Sequence, residues 1–225
     1  SKDACSEYKK IIKSYFDENP DKTLFNNCAK PDAFGDYQLD YLQTIFCNQK
    51  FTEPLHVLSS RKLMFLHHSD IHYNFDAYSF HDDNQARHLS EVPKGYSFEE
   101  KHIQSEKKPP YECYTIAIYM QDHNDGSGLT VVEGSHLGDR YDGEKISQIS
   151  NDGGGVDIKS NAGDVIVFDA RLYHRGNALD TKDRASIFLR MGCENMHGII
   201  HAKGAIERQK RQTRKRYTIT NSMIK

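Results

Sequence analysis

The chain has 225 residues, of which 37% are hydrophobic and 28% are charged, and its formal net charge at pH 7 is −2. This length is enough for one domain with a packed core, and the small net charge gives no reason to expect a polyanion-binding protein. The sequence predicts no membrane span and no signal peptide, because it has no run of about 18 apolar residues and no apolar segment at its start. Five scattered cysteines without a Cys-x-x-Cys pair predict reduced thiols and a cytoplasmic protein.

The N-terminal part of the sequence predicts helices. Residues 6–19 place Tyr8, Ile12 and Phe16 at helical spacing with charged side chains opposite them, which is typical of an amphipathic helix. Residues 37–48 carry a similar apolar stripe and predict a second helix.

From residue 62 onward the pattern changes to that of strands. Five segments rich in β-branched or aromatic residues are bounded by Gly, Asp or Asn, and they are residues 62–75, 113–120, 128–134, 164–170 and 184–192. Helices followed by many strands predict a mainly β fold with flanking helices, in the form of a sandwich or barrel. The polar segments 85–110 and 138–163 are expected to be loops with little regular structure.

The short stretch FHDDN contains His81 and Asp83, separated by one residue. Residues i and i+2 of an extended backbone point to the same side, so this imidazole and carboxylate could bind one metal ion. Two His and one carboxylate are typical of non-haem Fe(II) enzymes that activate oxygen, so a second, distant His is required. Taken alone, the pair is a common chance pattern and a polar turn is the more ordinary interpretation. His68 and Asp70 have the same spacing.

A second His and a candidate anion site follow about ninety residues later. His174 comes just after a predicted strand, and Arg184 opens the next strand with Ser186 on the same face. Apolar residues on both faces of that strand predict that it is covered on both sides, where a guanidinium is costly unless it meets an anion. An Arg with a neighbouring hydroxyl can bind a carboxylate. The alternative is an Arg184 at a solvent-exposed strand end, paired with Asp180 or Asp183.

Taken together, His81-x-Asp83, His174 and Arg184-x-Ser186 resemble the motif of the Fe(II)- and 2-oxoglutarate-dependent dioxygenases. The segments YTIAIYMQDHNDGSGLTVVEGSHL and AGDVIVFDARLYHRGNAL are similar to the phytanoyl-CoA dioxygenase-like branch. The resemblance covers roughly residues 62–192. It implies a double-stranded β-helix, which is a cupin-like jelly roll of eight strands with the iron near its open mouth.

The resemblance also implies roles for individual residues and cofactors. Iron would be held by three side chains, with 2-oxoglutarate bound to it and ascorbate as a reductant that keeps it ferrous; these side chains are His81, Asp83 and His174. The distal carboxylate of 2-oxoglutarate would meet Arg184 and Ser186. Tyr73 is a further candidate contact of the cosubstrate, although a core tyrosine is an equally good interpretation.

The same resemblance favours the FHDDN pair over the earlier one, because the metal-binding pair of the family follows an extended strand. His68 and Asp70 then lie within that strand, where they share one face with His72. We expect this face to be solvated or hydrogen-bonded. His136, in the Gly-Ser-His turn, is expected to remain outside the metal shell.

On this basis we expect one domain over residues 1–225, with N-terminal helices over about 1–50, a jelly-roll core over about 60–195 and a basic segment over about 196–225. Six Lys or Arg residues lie within residues 208–216. Such a run can bind nucleic acid or phosphates, but an exposed helix or a loose tail is the more ordinary interpretation. No interleaved aromatic residues support base stacking, so a nucleic-acid partner is not expected.

The reaction that the resemblance implies is hydroxylation of an unactivated C–H bond of a small or medium-sized metabolite, with O2 consumed and succinate and CO2 released. Asp83 argues against halogenation, because related halogenases carry a small residue there so that chloride can bind. Desaturation and other outcomes remain open. One alternative is a non-catalytic metal-binding module of cupin type. Such a module would not explain why Arg184 and Ser186 follow the second His. The other is a dioxygenase that acts on a macromolecule, which rests only on the basic segment.

The substrate itself is not identified by the sequence. The polar segment after the metal motif is expected to form part of the pocket wall, and its candidate substrate contacts are Arg87, His88, Lys94 and Tyr96. For any single one of them, a position in a solvated loop is the more ordinary interpretation.

Overall fold

The structure is a computed structural model that describes residues 2–25, 28–59, 61–75, 79–94, 111–124, 127–137, 148–149, 154–177 and 183–222, with side chains followed to residue 212. The main elements in chain order are α1 (Lys2–Glu18), β1 (Ala29–Lys30), a 3-10 helix (Tyr37–Cys47), α2 (Gln49–Leu58), β2 (Leu63–Tyr73), β3 (Cys113–Tyr119), β4 (Leu129–Val131), β5 (Val156–Ile158), β6 (Val165–Asp169), β7 (His174–Gly176), β8 (Ala185–Cys193) and α3 (Met196–Ser222).

The strands form two antiparallel sheets whose inner faces pack together. One sheet has five strands in the order β1-β2-β8-β3-β6, and the other has three in the order β5-β4-β7. An apolar cluster joins the sheets and includes Tyr119 and Phe188 from the larger one and Leu129 from the smaller one. A bridge between His81 and His174 continues the smaller sheet beyond β7. This is the mainly β jelly roll that the sequence predicted.

The N-terminal helices cover the outer face of the larger sheet. Ile12 and Phe16 of α1 are buried in one cluster with Ile71 of β2 and Ile187 of β8. Burial of each of these side chains contributes about 1.5–3 kcal/mol to folding. The helices therefore hold in place the two strands whose opposite faces point toward the other sheet.

The second predicted helix is present as the 3-10 helix, but regular structure elsewhere was missed. The α-helix that follows it, α2, was not predicted because only its Phe51 and Leu55 are buried and Pro54 lies inside it. The segment 138–163 contains β5, which a hydrophobic pattern could not reveal because Val156 is 48% exposed.

The basic C-terminal segment is part of helix α3 and is not a loose tail. A Cβ atom at Gly204 would overlap the carbonyl oxygen of Gln85, so only glycine allows α3 to approach this closely. Ile200 packs against Ala86 at the same contact. The helix is thereby held against the segment that follows the FHDDN stretch. Within the described chain, the structure has no helix with both the length and the apolar character needed to span a bilayer.

Candidate metal centre and cavity

A cavity of about 310 Å³ lies between the two sheets. Its walls come from the inner faces of β2, β3 and β8, from β7, from the segment around residues 81–88, and from α3. The side chains that line it include every predicted metal ligand and both predicted anion-binding residues: His81, Asp83, His174, Arg184 and Ser186.

Backbone pairing brings the two candidate His ligands together. The amide of His81 donates to the carbonyl of His174, and the amide of His174 donates to the carbonyl of His81, both at 3.0 Å. The amide of Asp83 donates to the carbonyl of Ala170 at 2.9 Å. One ligand atom from each of His81, Asp83 and His174 lies within 4.8 Å of the others. The structure thus brings His174 to a pair of residues from which it is distant in the sequence.

Local hydrogen bonds orient both imidazole rings. Nδ1 of His81 lies 2.8 Å from the carbonyl oxygen of Ser79, and Nδ1 of His174 lies 2.9 Å from that of Leu172. A carbonyl only accepts, so each Nδ1 carries the proton and Nε2 is the ligand atom. Burial lowers the pKa of His174 to about 4, so its ring is neutral at neutral pH.

The carboxylate of Asp83 is held by two side chains from the larger sheet. Its Oδ2 atom accepts a hydrogen bond from the hydroxyl of Thr115 at 2.7 Å and lies 2.9 Å from the guanidinium of Arg190. Burial by itself would raise the pKa of Asp83, but Arg190, His174 and His81 hold it well below its usual range. Two imidazoles and one ionised carboxylate are the ligands of non-haem Fe(II) enzymes, so the residues present fit this ion.

Sequence reasoning missed Arg190 and Thr115, although alternation along the strands could have found them. Arg190 continues the face of β8 that carries Arg184 and Ser186, and Thr115 is its partner on β3. Both side chains are buried and line the cavity.

Arg184 is buried in the cavity wall. Only 7% of it is exposed, and its guanidinium donates to the carbonyls of Asn177 at 2.8 Å and Gly128 at 3.1 Å. Asp183, considered as its partner in solvent, instead forms an ion pair with Lys9 at 2.8 Å. The other candidate, Asp180, lies outside the described residues. Arg184 is therefore not at a solvent-exposed strand end, and that interpretation is wrong.

Tyr73 does not line the cavity. Its hydroxyl donates to Asp183 at 3.0 Å and its ring packs against Phe16 of α1, with the centroids 5.9 Å apart. It faces the helices because β2 alternates, so the structure gives no support to its predicted contact with the cosubstrate. Tyr119 of β3 lines the cavity instead, and its ring lies 5.6 Å from the guanidinium carbon of Arg184. Burial raises the pKa of Tyr119 to about 12, which keeps it a neutral phenol.

The polar face of β2 is buried inside the cavity, which corrects the expectation of a solvated face. A bulge at His67, with φ of 55°, shifts the register with β8, and beyond it His68, Asp70 and His72 point inward. Arg208 of α3 donates to both carboxylate oxygens of Asp70, at 2.6 and 3.0 Å. The hydrogen-bonded interpretation of this face is therefore correct. Among the described residues, none of these side chains belongs to the metal-binding group.

Replacing Arg208 with methionine is expected to lower the free energy of unfolding by about 3 kcal/mol, because it leaves the buried carboxylate of Asp70 without its partner. The double variant Asp70→Leu/Arg208→Met should recover most of this loss. Urea denaturation measures both. Lys210→Met is the control, because Lys210 is exposed on the same helix and should change stability by less than about 0.5 kcal/mol. A double variant no more stable than Arg208→Met would contradict the interpretation.

The remaining predicted residues divide between the cavity and the rest of the chain. Arg87 and His88 line the cavity. Lys94 is exposed and does not line it, and Tyr96 lies outside the described residues. His136 is in a 3-10 helix away from the cavity wall, in agreement with its exclusion from the metal shell.

Comparison with known proteins gives a family and a set of similar folds. The family model described as "Phytanoyl-CoA dioxygenase (PhyH)" matches residues 20–186. EctD from S. alaskensis with 2-oxoglutarate and 5-hydroxyectoine has a TM-score of 0.61 and 17% identity, covering 86% of this chain and 69% of that one. AviO1 from Streptomyces viridochromogenes Tue57 has a TM-score of 0.59 and 15% identity, covering 86% of each chain. HygX from Streptomyces hygroscopicus with nickel and 2-oxoglutarate bound has a TM-score of 0.55 and 14% identity, covering 83% of this chain and 79% of that one.

At these identities the likeness to the solved structures is one of fold. No curated protein matches the chain.

Proposed function

Because the chain belongs to the phytanoyl-CoA dioxygenase family of Fe(II)- and 2-oxoglutarate-dependent oxygenases, we propose that it hydroxylates an unactivated C–H bond of a small or medium-sized metabolite. The cosubstrate, 2-oxoglutarate, would be converted to succinate and CO2. The observation that supports the proposal is that His81, Asp83 and His174 share one cavity with Arg184 and Ser186.

Within this proposal each side chain has a separate task. His81, Asp83 and His174 hold Fe(II), which together with 2-oxoglutarate supplies the oxidising chemistry when both are bound. Arg184 and Ser186 bind the distal carboxylate of 2-oxoglutarate, and the backbone carbonyls that brace the guanidinium fix its direction. A reductant such as ascorbate would keep the iron ferrous.

Arg190 and Thr115 act on the metal site through Asp83. Because both contact Oδ2 of this carboxylate, they limit rotation of the side chain and keep it beside His174, whose Nε2 atom lies 3.6 Å from the same oxygen. The carboxylate also favours hydroxylation over halogenation, because it fills the position that a halide would need. A simple metal-binding module of cupin type would have no use for a buried Arg184 beside Ser186, which is why we prefer an enzyme.

Anaerobic titration with Fe(II) and 2-oxoglutarate tests the proposal. The expected result is the weak visible charge-transfer absorption of an iron chelate, followed by succinate formation when O2 is admitted. His174→Ala should remove the absorption. His136→Ala is the matched control, since this imidazole lies outside the cavity, and it should leave the absorption unchanged. An unchanged absorption in His174→Ala, or none in the unmodified protein, would contradict the proposal.

We further propose that residues 1–225 form one domain and that the protein works in the cytoplasm. The cysteines all lie in the described part of the chain and form no disulfide there, and this fits a reducing compartment.

A further inference from the structure

The outer part of the cavity has one wall made of aromatic rings. Phe25 packs edge-on against Phe75 with centroids 5.6 Å apart, Phe75 stacks on His72 at 4.6 Å, and His72 lies 4.9 Å from Phe188. All four line the cavity, and Phe25 is 59% exposed. Burial lowers the pKa of His72 to about 4, so the wall carries no charge at neutral pH. This surface suits the apolar part of a ligand.

A second part of the wall is cationic and comes from two helical segments. Arg87 and His88 belong to a short 3-10 helix, and Arg208 and Gln212 belong to α3. The close approach at Gly204 holds the two segments together. The basic run of α3 therefore contributes directly to the cavity.

The positive charge of this wall is only partly balanced. Asp70 compensates Arg208 through two hydrogen bonds. Arg87 and Arg211 are exposed and form no ion pair with any carboxylate in the described part of the chain. Nε of Arg87 lies 3.5 Å from Nε2 of His88. Arg211 follows Arg208 by three residues on α3, so the two side chains are neighbours on the surface of this helix.

We infer that this wall is a subsite for an anionic group of the substrate, a carboxylate or a phosphate. The group is bound by Arg87, which lines the cavity, and by Arg211, which is exposed on α3 beside the lining residues Arg208 and Gln212. The apolar part of the same molecule lies along the rings of Phe25 and Phe75. The inference rests on the proposed function and adds to it the chemical class of the substrate. A small molecule is favoured over nucleic acid, because Arg208 and Gln212 of the basic run line a cavity whose volume of about 310 Å³ suits a small ligand.

Binding of small aryl anions tests the inference. The protein is loaded with Ni(II) and 2-oxoglutarate, so that the cosubstrate site is filled and no turnover occurs. Phenylacetate, phenyl phosphate and neutral phenylacetamide are then titrated by calorimetry. At least one anion should bind about fivefold or more tightly than the amide, because charge-assisted hydrogen bonds add to the contact of the ring. The preferred anion identifies the group as a carboxylate or a phosphate.

Two charge variants separate a specific subsite from general surface charge. Arg87→Gln/Arg211→Gln should weaken binding of the preferred anion about tenfold and leave the amide unchanged. Lys210→Gln is the control, because Lys210 is exposed on the same helix and is paired with Glu207 at 2.7 Å. It should bind the anion as the unmodified protein does.

Three results would overturn the inference. The first is equal binding of all three probes, and the second is equal weakening of anion binding by Lys210→Gln and by the double variant. The third comes from a further titration with a single-stranded oligonucleotide: the double variant weakens binding of the oligonucleotide but not of the aryl anions. The last result would assign the basic wall to nucleic acid. Failure of Ni(II) and 2-oxoglutarate to bind in the loading step would instead remove the proposed function, and the inference with it, so the two failures are distinguishable.

Discussion

Asp83→Ala is expected to slow succinate formation from 2-oxoglutarate by at least about a thousandfold, which is the scale seen when a central residue of an active site is removed. Among the described residues, Asp83 is the one carboxylate that shares the candidate metal centre with His81 and His174. Two imidazoles alone leave the ion with fewer ligands and no protein charge to offset its own. Calorimetric titration with Ni(II) should show a matching loss of metal affinity.

The neighbouring carboxylate provides a matched control. Asp82 directly precedes Asp83 in the sequence, but it does not line the cavity. Its Oδ1 atom accepts a hydrogen bond from the amide of Asn84. Asp82→Ala should keep metal affinity and turnover within a few-fold of the original. Removal of Asp83 also leaves Arg190 without its carboxylate, so thermal unfolding must show that the variant is folded at the assay temperature. A folded Asp83→Ala protein with full turnover would refute the ligand assignment.

The parts of the site that could be predicted from the sequence are those encoded by local patterns. The alternation of β8 placed Arg184 and Ser186 on one face, and both line the cavity. The spacing of His81 and Asp83 in an extended segment predicted that they could share an ion, and their ligand atoms lie together in the structure. The placement of these side chains follows from a local pattern, because the period of a strand is two residues whatever the rest of the fold does.

The parts that could not be predicted depend on which face of a strand is covered and by what. Alternation separates Tyr73 from His72, but it does not say which of the two faces the cavity. The helix α1 covers the face of Tyr73, and the tyrosine that lines the cavity is Tyr119 on another strand. The bulge at His67 has no signature in the hydrophobic pattern.

The contribution of α3 is a second example of this limit. Arg208 meets Asp70 across a separation of 138 residues, and no local pattern connects them. The sequence indicated only that residues 208–216 are basic. Deletion of residues 206–225 would be one way to test whether the basic run binds nucleic acid, but it would also remove Arg208 and its ion pair with Asp70. Point variants of exposed residues such as Arg211 test the same question without this loss.

Arg184→Met is expected to raise the KM for 2-oxoglutarate about a hundredfold, because hydrogen bonds from a charged group to a carboxylate contribute about 3 kcal/mol together. The catalytic rate constant should change much less at saturating cosubstrate, since Arg184 does not belong to the metal-binding group. Ser186→Ala removes one neutral donor and should raise KM only about fivefold, or about 1 kcal/mol. Initial rates of succinate formation at varied 2-oxoglutarate measure both effects.

A cosubstrate analogue distinguishes loss of this contact from general damage to the site. 2-Oxopentanoate keeps the keto acid that would bind iron but lacks the distal carboxylate. The original protein should prefer 2-oxoglutarate strongly, whereas Arg184→Met should accept both at similar KM, because the group that recognises the second carboxylate is gone. Arg184→Lys keeps the charge without the planar fork and should fall between the two. If Arg184→Met kept the preference for 2-oxoglutarate, another residue would bind the distal carboxylate, and the buried guanidinium would serve only to brace the backbone at Asn177 and Gly128.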